Sequence, residues 1–499
     1  MGISHRMMKG SVWLAGARIV VNILASLSLF IMAWSLTPAD FGLVALGTTF
    51  MLIVTSVTEL SLNQALVRHD NPDDDRLNAA FSLNALRGLM IWLLFILCAY
   101  PIALFYDDMR LVSVMIALGF SVFIGSLGNP RRVILQRDLV FHQEFLILVA
   151  QKMAGFIVGV GMATLFRTYW ALVFSMLVSQ STIVILSYAL MPYRPRLSFR
   201  HMRELLSFSL WLSASQIVNT LNWRFDFLLV GKMLGAVPLG HYSVGGNLAM
   251  MPTREATIPL TQTIFPGFSA IKDDRPRLVS AYQRVQALVS AIALPAGIGT
   301  ALIADPLVRV MLGEKWLPVV FIVQALSCVY GLQTLGSIVQ PLGMAMDRTR
   351  TLFMRDLQML LLRVPLLAAA AYAYGLTGLV IARVVTGLLS AFVNMVLVRR
   401  FIDLPVRHQI GANMRSLIGV LVMSGCLLAL QYAWPVSEGK VALIIYIIVN
   451  MMVGGLVYGG TMFGLWALAS RPGGPEWEIL QMLNKVLAGR GVKASVPVG

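Results

Sequence analysis

Apolar residues run through this chain in long blocks separated by short polar stretches. The blocks predict helices at 11–36, 41–67, 80–105, 111–128, 143–166, 169–191, 205–232, 237–268, 282–304, 318–345, 353–374, 376–398, 415–434 and 440–469. A block of about twenty residues covers the ~30 Å hydrocarbon core of a bilayer as a helix. Helix is the expected form because a lipid-exposed backbone must satisfy its own hydrogen bonds. The pattern therefore predicts an all-α integral membrane protein of about fourteen transmembrane helices.

The blocks also repeat. Ser11-Val-Trp13-Leu14 recurs as Ser209-Leu-Trp211-Leu212, and Ile19-Val20 falls over Ile217-Val218. With no gap, Leu36-Thr-Pro-Ala-Asp-Phe-Gly42 lies over Leu234-Gly-Ala-Val-Pro-Leu-Gly240. The offset spans six helices, so both copies enter the membrane from the same side, and an axis along the membrane normal should relate them. The expected organisation is an N-lobe at 1–200 (helices 1–6), a C-lobe at 201–404 (helices 7–12), helices 13–14 at 405–470 and a tail at 471–499. In the tail Trp477, Leu480, Leu483 and Leu487 alternate with Glu476, Glu478 and Lys485. That spacing suits a short amphipathic helix at the cytoplasmic surface or a disordered tail.

Composition agrees. Of 499 residues, 58% are hydrophobic and 12% charged, about half the charged share of a soluble domain. The first block is too long for a cleaved signal, so the first helix is expected to direct insertion. The net charge of +16 does not predict nucleic-acid binding, because the basic residues sit in loops between spans. Cys98, Cys328 and Cys426 lie far apart in apolar segments, and no two of the six histidines stand at metal-ligand spacing. A disulfide framework and a metal site are therefore not expected.

Alternate loops are basic: Arg131, Arg132 and Arg137; Arg194, Arg196, Arg200 and Arg203; Lys272, Arg275 and Arg277; Arg348, Arg350 and Arg355; Arg399, Arg400 and Arg407. They place that side in the cytoplasm, and with an even helix count both termini as well.

The candidate chemistry lies in charges within spans, each costing about 2.5–3.5 kcal/mol at the bilayer centre unless it meets protein, water or a partner. Arg18, Lys152, Arg224, Arg254, Arg363 and Arg383 are basic, and Glu59, Asp226 and Glu255 are acidic. The positive excess predicts a cavity that attracts an anion. Asn22 and Ser26 follow Arg18 at helical spacing and give the first helix a polar stripe. Arg18 and Glu59 fall at similar depth, so they are expected either to pair or to leave Arg18 facing the cavity. On the seventh helix Gln216, Asn219, Trp223 and Asp226 share a face. Arg254 and Glu255 follow Pro252, and Arg363 precedes Pro365. A proline within a span frees carbonyls and suits a transport site. Lys152 is placed either in the cavity or snorkelling to the surface. The planar guanidinium fork suits a diphosphate.

Several segments resemble a known family: Leu36–Gly42, Leu62-Asn-Gln-Ala-Leu-Val-Arg68, Ile264-Phe-Pro-Gly-Phe-Ser269, Asp305-Pro through Leu312-Gly-Glu-Lys-Trp-Leu-Pro318, and Gln340-Pro-Leu-Gly-Met-Ala-Met-Asp-Arg348. They resemble the bacterial polysaccharide flippases of the multidrug/oligosaccharidyl-lipid/polysaccharide exporter superfamily, in its exopolysaccharide and lipopolysaccharide branch. The resemblance covers the chain from about Lys9 to Arg400, and Gly-Glu-Lys-Trp is its most specific piece. It implies a two-bundle fold, alternating access and an undecaprenyl-diphosphate-linked oligosaccharide as substrate. It further implies work among inner-membrane lipids beside a polysaccharide polymerase and a chain-length regulator. Trp34 stands where family members often carry an arginine.

No cofactor is expected, although Glu59, Asp226 or Glu255 would serve coupling to a proton or sodium gradient. A drug or cation antiporter of the same superfamily is the alternative, and it would need carboxylates to dominate the cavity. An enzyme is not expected: external loops are short, no carboxylate pair or carboxylate–histidine pair occurs in them, and no phosphate-binding Gly-rich loop is present.

Overall fold

The computed structural model describes residues 3–58, 74–132, 141–198, 210–261, 264–435 and 439–469. Glu59, the Leu62–Arg68 segment, Arg137, the Arg200–Arg203 stretch and the tail from 470 onward lie outside these residues. All regular structure in the described residues is helical.

The long helices, numbered in chain order, are α1 (Ile3–Ser35), α2 (Pro38–Val57), α3 (Asp74–Tyr106), α4 (Arg110–Ser126), α5 (Phe141–Phe166), α6 (Trp170–Leu190), α7 (Leu210–Leu234), α8 (Ala236–Thr261), α9 (Arg275–Leu302), α10 (Val319–Gln333), α11 (Thr349–Ile402), α12 (Met414–Ala433) and α13 (Lys440–Leu468). Within the described residues, every expected block coincides with one or more helices. Among the described residues ten helices are long and apolar enough to cross a membrane. The 54-residue α11 joins two expected blocks across Tyr374 and Gly375, whose φ of +58° breaks the helical path. A left-handed turn of this kind suits glycine, which has no Cβ to clash. The helices α7 and α8 fall short of that apolarity and carry Arg224, Asp226, Arg254 and Glu255. Both remain helical throughout, α8 through Pro252 included.

Local chemistry explains the start of α2. Thr37 is its N-cap, Pro38 opens the first turn, and Asp40 closes a capping box. The Thr37 N–H donates to Asp40 Oδ2 at 2.9 Å, and the Asp40 N–H donates to Thr37 Oγ1 at 3.3 Å. These bonds satisfy donors that a helix start leaves open. The Leu-Thr-Pro-Ala-Asp motif is thus a helix start rather than a ligand site. The Gly-Glu-Lys-Trp motif is likewise structural: Gly313 turns with φ +90°, and Trp316 is fully buried at the end of a short 3-10 turn.

Packing divides the chain into two compact units, Met1–Ser243 and Val244–Gly499. In the first, α3 packs on α4, α5 on α6, α1 on α5, α4 on α6, and α2 on both α4 and α7. In the second, α9 packs on α10 and α12, α10 on α11, and α12 on α13. A core of Ile264, Phe268, Leu278, Tyr282, Leu342, Leu352, Val398 and Phe401 holds one end of this unit. Leu294, Val420, Met423 and Leu427 form another core cluster where α12 meets α9. Leu97, Leu361, Leu421 and Leu456 point outward, as lipid-facing side chains do.

The repeat has a physical counterpart. A Cβ on Gly42 would lie 1.8 Å from the carbonyl oxygen of Ala236, and one on Gly240 would lie 1.8 Å from that of Pro38. The ungapped alignment that sets Gly42 over Gly240 also sets Pro38 over Ala236. The two copies of the motif therefore meet reciprocally, backbone against backbone, about a local two-fold. The same offset sets Gly47 over Gly245. A Cβ on Gly47 would press on Val114 and Leu118 of α4, and one on Gly245 on Val319 and Ile322 of α10. Equivalent helices thus pack through equivalent glycines within each unit.

Candidate functional site

In the first unit, Arg18 is exposed on α1 and makes no ion pair among the described residues. Ala17 beside it is fully buried, on a helix that packs against α5. Ile19, Ile23 and Leu27 form an exposed apolar stripe on the other side. Asn22 is half-buried, and Ser26 donates to its carbonyl at 2.7 Å. Arg18 therefore stands where a polar stripe meets an apolar one. Lys152 is half-buried on α5 and makes no ion pair among the described residues.

The expected polar face of α7 is split by burial. Gln216 and Trp223 are exposed, Asn219 is half-buried, and Asp226 is buried. Tyr242 of α8 donates its hydroxyl to Asp226 Oδ2 at 2.5 Å, and the Phe227 N–H donates to Oδ1 at 3.1 Å. The Tyr242 ring also meets Phe227 edge-on at 5.3 Å. The Arg224 guanidinium lies 5.2 Å above the Phe227 ring, a cation–π placement. Asp226 is thus a built-in acceptor at the α7–α8 junction.

In the second unit, Arg254 is exposed and Glu255 half-buried on α8. Arg363 and Arg383, on the two arms of α11, are both buried. Arg355, expected in a basic loop, is instead buried near the start of α11. Its guanidinium donates to Asp356 Oδ1 at 2.7 Å, to Asn394 Oδ1 at 2.7 Å and to Gln340 Oε1 at 2.9 Å. The boundary drawn at 353 left this arginine at a helix end, where a basic residue resembles a loop charge. Its signal was the adjacent Asp356, a carboxylate at equal depth.

Arg87 is a second charge that the pattern did not single out. From α3 it donates to the Thr55 carbonyl at 3.0 Å and to Thr58 Oγ1 at 3.2 Å. It thereby occupies a carbonyl at the end of α2, where a cation is also favoured by the helix dipole. On the basic side, Arg132 grips Glu144 through two bonds, at 3.0 and 2.5 Å, at the start of α5. At the opposite end of the helices, Arg110 holds the Asp108 carboxyl below its usual range through a side-chain hydrogen bond. Among the described residues no three His, Cys, Asp or Glu side chains gather as a metal site.

Of the candidate arginines, Arg18 and Arg254 are thus exposed while Arg363 and Arg383 are buried, and Asp226 is engaged by hydrogen bonds. A family model described as polysaccharide biosynthesis protein matches residues 31–321. An uncharacterized membrane protein in the cps region of Klebsiella pneumoniae is 25% identical over 470 residues, covering 93% of this chain and 96% of that one. The lipopolysaccharide biosynthesis protein WzxC of Escherichia coli K12 is 23% identical over 401 residues, covering 79% and 82%. Among solved structures, the lipid II flippase MurJ in an inward closed conformation is similar with a TM-score of 0.73 at 14% identity. That match covers 93% of this chain and all of that one, and it shows the fold. More than half the chain matches one family along its length, and this multi-pass membrane protein therefore belongs to the polysaccharide biosynthesis protein family.

Proposed function

We propose that the protein flips an undecaprenyl-diphosphate-linked oligosaccharide repeat unit from the cytoplasmic to the periplasmic leaflet of a bacterial inner membrane, for exopolysaccharide or lipopolysaccharide biosynthesis. The observation that carries the reading is the exposure of Arg18 and Arg254 on helices of a polysaccharide-biosynthesis membrane protein. An exposed guanidinium at membrane depth is costly unless water or an anion meets it. A glycan diphosphate is the complementary problem: its hydroxyls and charges cannot cross hydrocarbon without substitutes for water. Arginine supplies two parallel charge-assisted bonds to phosphate oxygens and keeps its charge throughout the cycle. The polyprenyl tail stays in lipid while the head moves.

Arg18 and Arg254 are assigned as the diphosphate ligands, with Arg224, Arg363, Arg383 and Lys152 contributing positive potential. Alternating access of the N- and C-lobes carries the head outward, with both termini cytoplasmic. Glu59 or Glu255 takes part in coupling to a proton or sodium gradient. A polymerase and a chain-length regulator receive the product. The antiporter alternative needs a carboxylate open to a cation, and the bonds of Asp226 to Tyr242 and to the Phe227 N–H weigh against it there.

The test is export by cells carrying Arg18→Ala with Arg254→Ala. Each lost arginine–phosphate bond removes about 1.5–3 kcal/mol, so surface glycan should fall at least about a hundredfold while membrane protein levels hold. Arg18→Lys with Arg254→Lys should retain part of the export. Full export by the alanine variant contradicts the assignment.

A further inference from the structure

Residues 191–198, which follow α6, form no helix, yet several bonds hold them in place. The Asn129 side chain donates to the carbonyls of Ser187 and Met191 at 3.0 and 2.7 Å. Arg131 donates to the Pro192 carbonyl at 3.1 Å, and its guanidinium lies 5.3 Å from the centre of the Tyr193 ring. Asn78 Oδ1 accepts from the Tyr193 hydroxyl at 2.5 Å and from the Arg196 N–H at 3.0 Å. Ser82 Oγ accepts from the Ser198 N–H at 2.9 Å. Residues 192–198 are thus a strap fixed against the start of α3 by Asn78 and Ser82, two buried polar residues of that helix.

The strap walls a cleft of about 670 Å³. Its charges are Arg131, Arg194 and Arg196 against Asp74 and Asp75. Arg131 is engaged by Asp74 at 3.0 Å, while Arg194 and Arg196 are exposed. The lining carries one more guanidinium than carboxylate. Beside them Leu197 is 75% exposed, an apolar side chain held out next to two cations.

We propose that this cleft is a binding site for the headgroup of a monoanionic phospholipid of the cytoplasmic leaflet. The inference rests on the basic side being cytoplasmic and not on the substrate assigned above. Arg194 and Arg196 take the phosphodiester, whose single negative charge matches the excess of the lining. Leu197 takes the first carbons of the acyl chains, which a free phosphate or a polar peptide lacks. Basic pockets at helix ends on the cytoplasmic side suit such headgroups. Pre-ordering of the strap removes the entropy of arranging two long side chains on a loose loop. The consequence is an anchor that fixes the cytoplasmic end of the first unit to the bilayer.

The measurement is retention of phosphatidylglycerol by the purified full-length protein in native mass spectrometry, with phosphatidylethanolamine and inorganic diphosphate as comparison probes. The wild type should retain phosphatidylglycerol above both. Arg194→Ala with Arg196→Ala should weaken retention about thirtyfold, the effect of two arginines at an anionic surface. The double substitution spares every bond of the strap, since Arg196 contributes its backbone N–H, so unfolding in lipid-free detergent should not change. Added salt should weaken retention by the wild type, which tests the site without any substitution. Equal retention by the variant, equal retention of phosphatidylethanolamine, preference for diphosphate or indifference to salt each overturns the assignment. Glycan export failing in a strain whose protein still binds phosphatidylglycerol would count against the proposed function and leave this site standing.

Discussion

A carboxylate inside a helical bundle is stable only where hydrogen bonds replace its water, and Asp226 meets that condition through Tyr242 and the Phe227 N–H. Removing the phenol hydroxyl leaves the charge with less than it needs. Tyr242→Phe should therefore destabilise the protein by about 1.5–3 kcal/mol, the scale of a hydrogen bond to a charged group. Thermal unfolding in detergent checks this, and an unchanged midpoint would mean that the bond contributes nothing. Outside the spans, burial pushes the Tyr193 hydroxyl up to about 12. Its neutral form is the donor to Asn78. A folded value above the ordinary one of about 10 stabilises below that ordinary value and is lost as pH rises from about 10 towards 12. The ultraviolet phenolate signal missing from Tyr193→Phe should accordingly titrate near 12, and a signal titrating near 10 would contradict it. At this scale the sequence was an uneven guide. An arginine and its spacing are legible, as Arg18 was. Which way it faces depends on neighbours far along the chain, so exposed Arg254 and buried Arg363 and Arg383 looked alike. Arg355 looked like a loop charge because only Gln340 and Asn394, brought in by folding, reveal its burial.

Helices were legible because one requirement, about twenty apolar residues, sets each of them. Their joints were less so: the turn at Tyr374–Gly375 was readable from glycine, whereas α2 and α7 packing together was not. The most informative joint is the crossing of α2 and α8 at Gly42 and Gly240. A methyl on Gly42 has no room beside the Ala236 carbonyl, and backbone cannot rotate away as a side chain can. Gly42→Ala should separate the two helix starts and cost at least about 1–3 kcal/mol. Gly161 of α5 has nothing within 4 Å of a Cβ, so Gly161→Ala should be neutral or stabilise by up to about 1 kcal/mol. Paired unfolding measurements check the contrast, and equal effects would contradict the reciprocal crossing. The repeat in sequence predicted a symmetric relation. It did not predict that the repeated glycines would themselves be the point of contact.

Over the whole molecule, charge and hydropathy act together. The apolar blocks commit the chain to the bilayer, and the basic loops choose its orientation. The few charges left inside spans are then the exceptions that ask for a function. Helical class and family were readable because each rests on many residues at once. Substrate handling rests on two or three side chains and was readable only as a positive excess. Flipping is most directly measured with purified protein in proteoliposomes that carry a fluorescent undecaprenyl-diphosphate-linked oligosaccharide in the inner leaflet. The account predicts that the glycan becomes accessible to an external glycosidase when wild-type protein is present, and that Arg18→Ala with Arg254→Ala abolishes the exposure. Glycan that stays protected with the wild type, or is exposed equally by the double variant, contradicts it.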